Sequence, residues 1–258
     1  MSWEMVDEGW GRKAVEMATL AEPSNVREYV FMHQRLGIGA GDHVLDVACG
    51  SGLAIELARM RGSTAAGLDA AKRLIAVAQH RSPDSDIRVG DMHDLPWDDG
   101  TFDVVTSFRG VWGTTPDALA EIRRVLKPGG RFAMTCWGNV GKSPGAWMMA
   151  PFLWATEDKI DNQANMVSLG RPGVGEEFLR SGGFEPGERF LVPFAFEYAD
   201  PAAYARALAS TGPAYEAIQS IGEEEFLRRA EELAQDFVVE GVPLRGELEL
   251  FGYIGTRD

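Results

Sequence analysis

Short apolar runs alternate with amphipathic stretches through the first half of the chain. Val44–Val47, Thr64–Leu68, Ile87–Val89, Phe102–Ser107 and Arg131–Trp137 are the apolar runs, and their length predicts strands. Leu53–Arg61, Ala71–His80 and Pro116–Leu126 repeat apolar residues at helical spacing; in the last, Leu119, Ile122, Val125 and Leu126 share the inner side. Lys127-Pro128-Gly129-Gly130 predicts a turn between the last helix and the last of these strands. Upstream, Val26–Leu36 predicts a helix stopped by Gly37, with Val26, Tyr29, Val30 and His33 on one face. Strands alternating with helices in this way imply a parallel sheet covered on both faces.

The alternation stops near Gly138. Residues 139–181 hold Pro, Gly and a helical stretch dense in Trp and Met. Phe184–Tyr198 predicts one long strand, Pro201–Val239 two or three helices, and Leu248–Ile254 a final strand. The expectation is one domain over 1–258, with its core in 38–138, 183–198 and 246–256. Residues 1–37 would form an N-terminal lid, and 139–181 and 200–240 cap segments.

Composition narrows the partners. Hydrophobic residues make up 45% and charged residues 25%, ordinary for a globular chain. Thirty-nine acidic residues face 25 basic ones, for a formal net charge of −14. Such a surface repels phosphate backbones, so no nucleic acid partner is expected. The longest apolar stretch, Ala146–Ala155, contains Pro151 and is too short to span a bilayer; no membrane association is expected. The first ten residues carry no secretory pattern, so a cytoplasmic location is the expectation. Cys49 and Cys136 each end an apolar run and read as reduced, buried residues.

The chemistry concentrates after the first strand. Ala48-Cys49-Gly50-Ser51-Gly52 is a small-residue loop running directly into a helix. Glycines there let the backbone turn sharply and approach a ligand, and the helix start presents free N–H groups to it. In a parallel sheet ligands bind at the carboxyl ends of the strands. Asp46, Asp69, Asp91 and Ser107-Phe108-Arg109 all fall at such ends. Asp69 follows the glycine loop by about twenty residues, the spacing at which a carboxylate meets a ribose. A dinucleotide fingerprint would need a small residue three positions after Gly52, where Ile55 stands. Its bulk disfavours hydride chemistry with a nicotinamide cofactor.

DVACGSG at 46–52 resembles the first motif of the class I S-adenosylmethionine-dependent methyltransferases. GLDA at 67–70 resembles the motif that follows it. GDMHDLPWDDGTFDVV at 90–105 and EIRRVLKPGGRF at 121–132 resemble the second and third motifs of the ubiquinone/menaquinone-biosynthesis-type branch. The likeness spans about residues 40–138. Ala48 departs from a position where many members have Gly. The resemblance implies a Rossmann-like, doubly wound α/β fold whose seven-stranded sheet is mostly parallel, with an antiparallel last strand. It implies S-adenosylmethionine as cofactor and S-adenosylhomocysteine as product. Gly50 and Gly52, with Ala48, would lie against the methionine portion, and Asp46 would hold its ammonium. Asp69, with Ala70, would bind the ribose. Asp91 and the Met92 backbone would meet the adenine, and the Phe108 backbone the ammonium.

The acceptor side is less legible. His33 is a candidate base, a structural histidine being the commoner reading of its apolar face. Arg109 is either an anchor for an anionic acceptor or an ion-pair partner. Trp112, Trp147 and Met148 are candidate substrate contacts, the last two within an aromatic, Met-rich stretch that equally suits cap packing. Trp3 and Trp10 are placed to close over the cofactor. No metal site is expected. The expected activity is methyl transfer to a small, apolar or aromatic metabolite, in natural-product tailoring or on a quinone-type acceptor, by a monomer or homodimer. The alternatives are a nicotinamide-dependent oxidoreductase and a non-catalytic cofactor-binding regulator.

Overall fold

A computed structural model of the chain describes residues 6–111, 116–155 and 167–258. Its centre is a sheet of β1 (His43–Val47), β2 (Thr64–Asp69), β3 (Asp86–Val89), β4 (Phe102–Phe108), β5 (Leu126–Trp137), β6 (Glu185–Pro186), β7 (Phe190–Leu191) and β10 (Leu250–Thr256). The spatial order is β3-β2-β1-β4-β5-β10-β6, with β7 also paired to β10. The first five strands pair in parallel, and β10 runs antiparallel to β5. Among the described residues the main sheet therefore has eight strands. The expected seven become eight because two short strands share the outer edge of β10.

Phe184–Tyr198 is not one strand. Its apolar run is unbroken from Phe190 to Phe196, but Pro193 has no N–H to give a ladder. After Val192 donates to Leu250, the chain leaves the main sheet. It continues as β8 (Ala195–Tyr198), which pairs with β9 (Leu244–Glu247) in a separate two-stranded sheet. The predicted turn at 127–130 does loop out, but inside β5. Phe102 pairs with Leu126 and Val104 with Arg131, so the four intervening residues bulge, with Gly129 at φ +76°.

Four helices cover the parallel part: α1 (Val26–Leu36), α2 (Leu53–Met60), α3 (Lys72–Arg81) and α4 (Pro116–Val125). β1 sorts its side chains by the strand period of two. Val44 joins the apolar cluster that holds Met32, Ile55, Ile75 and Trp137. Leu45 and Val47 join the opposite cluster, with Leu119, Ile122, Met134 and Tyr253. α5 (Val174–Ser181) covers that second face through Leu179. The cap lies with the first cluster: α6 (Pro201–Ala209), α7 (Gly212–Ile221), α8 (Glu223–Gln235) and the short helical turns Ala146–Leu153.

Helical turns over 7–25 tie the N-terminus to both halves. Asp7 accepts from the Arg73 backbone and guanidinium on α3. Arg12 donates to the carbonyls of Ala209 and Thr211 between α6 and α7. Among the described residues no helix is long and apolar enough to cross a membrane.

Candidate functional site

The order of the sheet reverses between β1 and β4, which leaves a crevice at their carboxyl ends. The loop after β1 turns through Ala48 (φ +60°), Gly50 (+55°) and Gly52 (+82°). A Cβ on Gly50 would meet nothing within 4 Å, so the backbone there borders open space. A Cβ on Gly52 would stand 2.7 Å from the Ala78 Cβ, so that glycine is required by α3. The place of a small residue on α2 is taken by a glycine on the strand: a Cβ at Gly67 would lie 2.4 Å from Ile55 Cδ1. Ile55 thus fills the helix–strand seam that the dinucleotide fingerprint leaves narrow.

Three carboxylates stand at adjacent strand ends. Asp69 holds the loop: Oδ2 accepts the Gly50 N–H at 2.8 Å and Oδ1 the Ala71 N–H at 2.7 Å. Burial pushes its carboxyl up, and those backbone donors pull the other way. Asp46 is 3% exposed and accepts the Thr106 hydroxyl at 2.7 Å. Burial, opposed by Thr106 and assisted by the nearby Asp69, Glu22 and Glu28 charges, pushes it up to about 8. Asp91 is more open and accepts from the His93 N–H at 3.0 Å and the His93 ring at 2.7 Å. Its partial burial is outweighed by those bonds, which hold it below the usual carboxylate range. Met92 packs against the second apolar cluster.

At the end of β4, Phe108 is buried with Tyr29 tilted against it at 4.6 Å between centroids. Arg109 follows with φ +57° and its N–H on the Thr135 hydroxyl at 3.1 Å. Its guanidinium meets the fully buried Glu28 of α1 in a two-pronged ion pair, 3.1 Å from Nε and 2.9 Å from a terminal nitrogen. It also lies over the rings of Trp137 and Phe194. Burial lowers the Arg109 pKa, but Glu28 more than offsets this. Of the two readings the sequence left open for Arg109, this geometry supports the ion pair.

His33 lies in the interior, 1% exposed, edge-on to Phe108 at 5.8 Å. Burial, with Arg61 nearby, lowers its pKa to about 4, so it is neutral at pH 7. Trp147 stacks on Phe237 at 4.0 Å and tilts against Tyr204. Met148 is fully buried, and its carbonyl accepts from the Tyr204 hydroxyl. Both residues stitch the cap together, which supports packing over substrate contact. Trp10 packs against the Gly212 backbone rather than over the glycine loop. Trp3 and Trp112 lie outside the described residues.

Known proteins resemble part of this chain. Residues 45–134 match the protein family described as Methyltransferase domain. An uncharacterized methyltransferase of Synechocystis sp. is 35% identical over 141 residues, 53% of this chain and 65% of that protein. A demethylmenaquinone methyltransferase of Symbiobacterium thermophilum is 41% identical over 107 residues, 36% of this chain and 41% of that protein. The chain thus spans less than two thirds of the length of either relative. The crystal structure of the YcgJ protein of Bacillus subtilis shares the fold, with TM-score 0.57 and 16% identity over 89% of this chain and 97% of that one.

Over residues 45–134 the chain is therefore similar to methyltransferase domains. The matched region ends within β5, yet two acids outside it contact residues within it. Glu22, 2% exposed, contacts Ser51 and Arg81, and Glu28 contacts Thr135 and Arg109. Neither was predicted. Glu22 lies upstream of the predicted helix, and Glu28 lies on that helix but outside the face assigned to Val26, Tyr29, Val30 and His33.

Proposed function

We propose that this chain transfers a methyl group from S-adenosylmethionine to a small, apolar or aromatic metabolite. Natural-product tailoring is the first setting, and a quinone-type ring the second. One observation carries the reading: Asp69 tethers a glycine loop whose Gly50 borders open space, with Asp46 and Asp91 at the neighbouring strand ends. A ligand with two cationic centres suits such a crevice.

The fit extends to individual groups. Each Asp69 oxygen already accepts one N–H and keeps a lone pair for a ribose hydroxyl; Ala70 would lie beside it. Asp46 would hold the ammonium, with the Phe108 backbone nearby. Ala48, Gly50 and Gly52 would follow the amino-acid portion, and Asp91 and the Met92 N–H the adenine. When bound, S-adenosylmethionine supplies a methyl already activated on a sulfonium. What remains for the protein is alignment and exclusion of water. Phe108, Tyr29 and Trp137, all buried, would supply apolar walls. Because Glu28 takes up the Arg109 charge, an uncharged acceptor suits the site better than an anionic one. The relative of Symbiobacterium, named for demethylmenaquinone, is in keeping with a quinone-type ring.

Calorimetric titration with S-adenosylhomocysteine and with NADH tests the cofactor. Saturable binding of NADH alone would overturn the proposal in favour of an oxidoreductase. Incubation with methyl-labelled cofactor and a panel of phenols and hydroxyquinones tests the chemistry. Tight cofactor binding with no methylated product across the panel would favour the non-catalytic regulator.

A further inference from the structure

The start of α2 has no cap of its own. Gly52 stands there with φ +82°, and the nearness of Ala78 leaves no room for a side chain. Helix starts ordinarily use Ser, Thr, Asp or Asn at this position to satisfy the free N–H groups. Ser51, one residue earlier, is fully buried and turns its hydroxyl away, to Glu22 Oε2. Glu22 Oε1 in turn accepts the Leu53 N–H at 3.4 Å. Arg81 on α3 closes the cluster. It pairs with the Glu22 carboxylate and donates to the Ser51 carbonyl at 3.1 Å and the Ala18 carbonyl at 2.9 Å. A carboxylate at a helix N-terminus is also favoured by the helix dipole.

We propose that Glu22 is a positioning residue of the cofactor site, capping α2 from the N-terminal segment and fixing Ser51 so that the Gly50–Gly52 backbone faces its ligand. The proposal rests on the methyltransferase reading above and deepens it. The segment that reads as a removable cover is then a working part of the site. Arg81 is its counterion, tying the carboxylate and the Ala18 carbonyl to the same loop.

The test uses the full chain with Glu22→Gln and Glu22→Ala. Two quantities are read: the dissociation constant for S-adenosylhomocysteine by calorimetry, and hydrogen exchange of the Leu53 amide. Glu22→Ala is expected to weaken binding by about tenfold or more and to speed Leu53 exchange, as loss of a charged hydrogen-bond acceptor does. Glu22→Gln, which keeps an acceptor oxygen, restores part of both. A merely structural role would lower the melting temperature and leave the affinity of the folded variants within about twofold of wild type; that result overturns the proposal. If Glu22→Ala does not fold, Ser51→Ala removes only the hydroxyl link, and unchanged affinity in that variant overturns it equally. Wild-type protein that fails to bind S-adenosylhomocysteine sinks the cofactor reading and this proposal together. Wild-type binding with unaffected variants sinks this proposal alone.

Discussion

The loop after β1 and the N-terminal segment that meets it both end in buried polar groups, but they are built by different means. The loop is local. Its turns come from residues at φ +60°, +55° and +82°, and its tether, Asp69, arrives on the neighbouring strand. The N-terminal side is remote. Glu28 reaches Arg109 across 81 positions of sequence and Thr135 across 107. Backbone conformation maintains the first arrangement and paired charge the second. The first therefore tolerates loss of a side chain better, because a buried charge left without its partner is costly.

Breaking the remote side should have the largest effect. Glu28→Ala leaves Arg109 buried and uncompensated, and denaturant unfolding should show a loss of about 3–5 kcal/mol. A loss no larger than that of an exposed substitution would erase the contrast. On the local side, Gly67→Ala sets a Cβ against Ile55 Cδ1 and should cost about 1–3 kcal/mol by overpacking. Adding Ile55→Val should return part of that loss in a double-mutant cycle. Asp69→Ala should leave a folded protein that binds S-adenosylhomocysteine about 1–3 kcal/mol more weakly, measured by calorimetry.

Asp46 links the two sides through pH. An unfolded aspartate ionises near 3.8 and the folded one at about 8. Between these values the native state holds a proton that the unfolded state has lost, so ligand-free stability should fall as pH rises through that window. A cationic ligand favours the ionised carboxylate, so cofactor affinity should rise toward pH 8 with release of a proton. Calorimetry in buffers of different ionisation enthalpy reads that proton, and Asp46→Asn should remove the largest share of the dependence, with Asp69 and Glu22, also raised by burial, supplying the rest. The smallest expected effect is Ala48→Gly. Relief of a left-handed alanine should stabilise by about 0.5–1 kcal/mol in thermal unfolding.

The strand–helix alternation of 43–137 was legible because each element carries its own period and its own punctuation. Edge strands were not. Phe190–Phe196 is one apolar run, and only the pairing of β7 to β10 and of β8 to β9 shows where it divides. The strand-end positions of Asp46, Asp69 and Asp91 followed from counting along the chain. The partner of Arg109 did not, since nothing near it in sequence distinguishes a rim arginine from a buried one. Trp147 and Met148 were ambiguous for the same reason, their apolar character serving a cap and a ligand wall alike.

The sequence by itself determined the glycine loop, the order of strands and helices and the acids at the strand ends, because these depend on backbone conformation and residue periodicity over short spans. Tertiary structure alone decided that Glu22 and Glu28 turn inward, that Asp46 becomes a weak acid, and that the Arg109 charge is spent inside the protein. Those outcomes depend on desolvation and on charges brought together from distant positions, and neither is a property of any local stretch of chain.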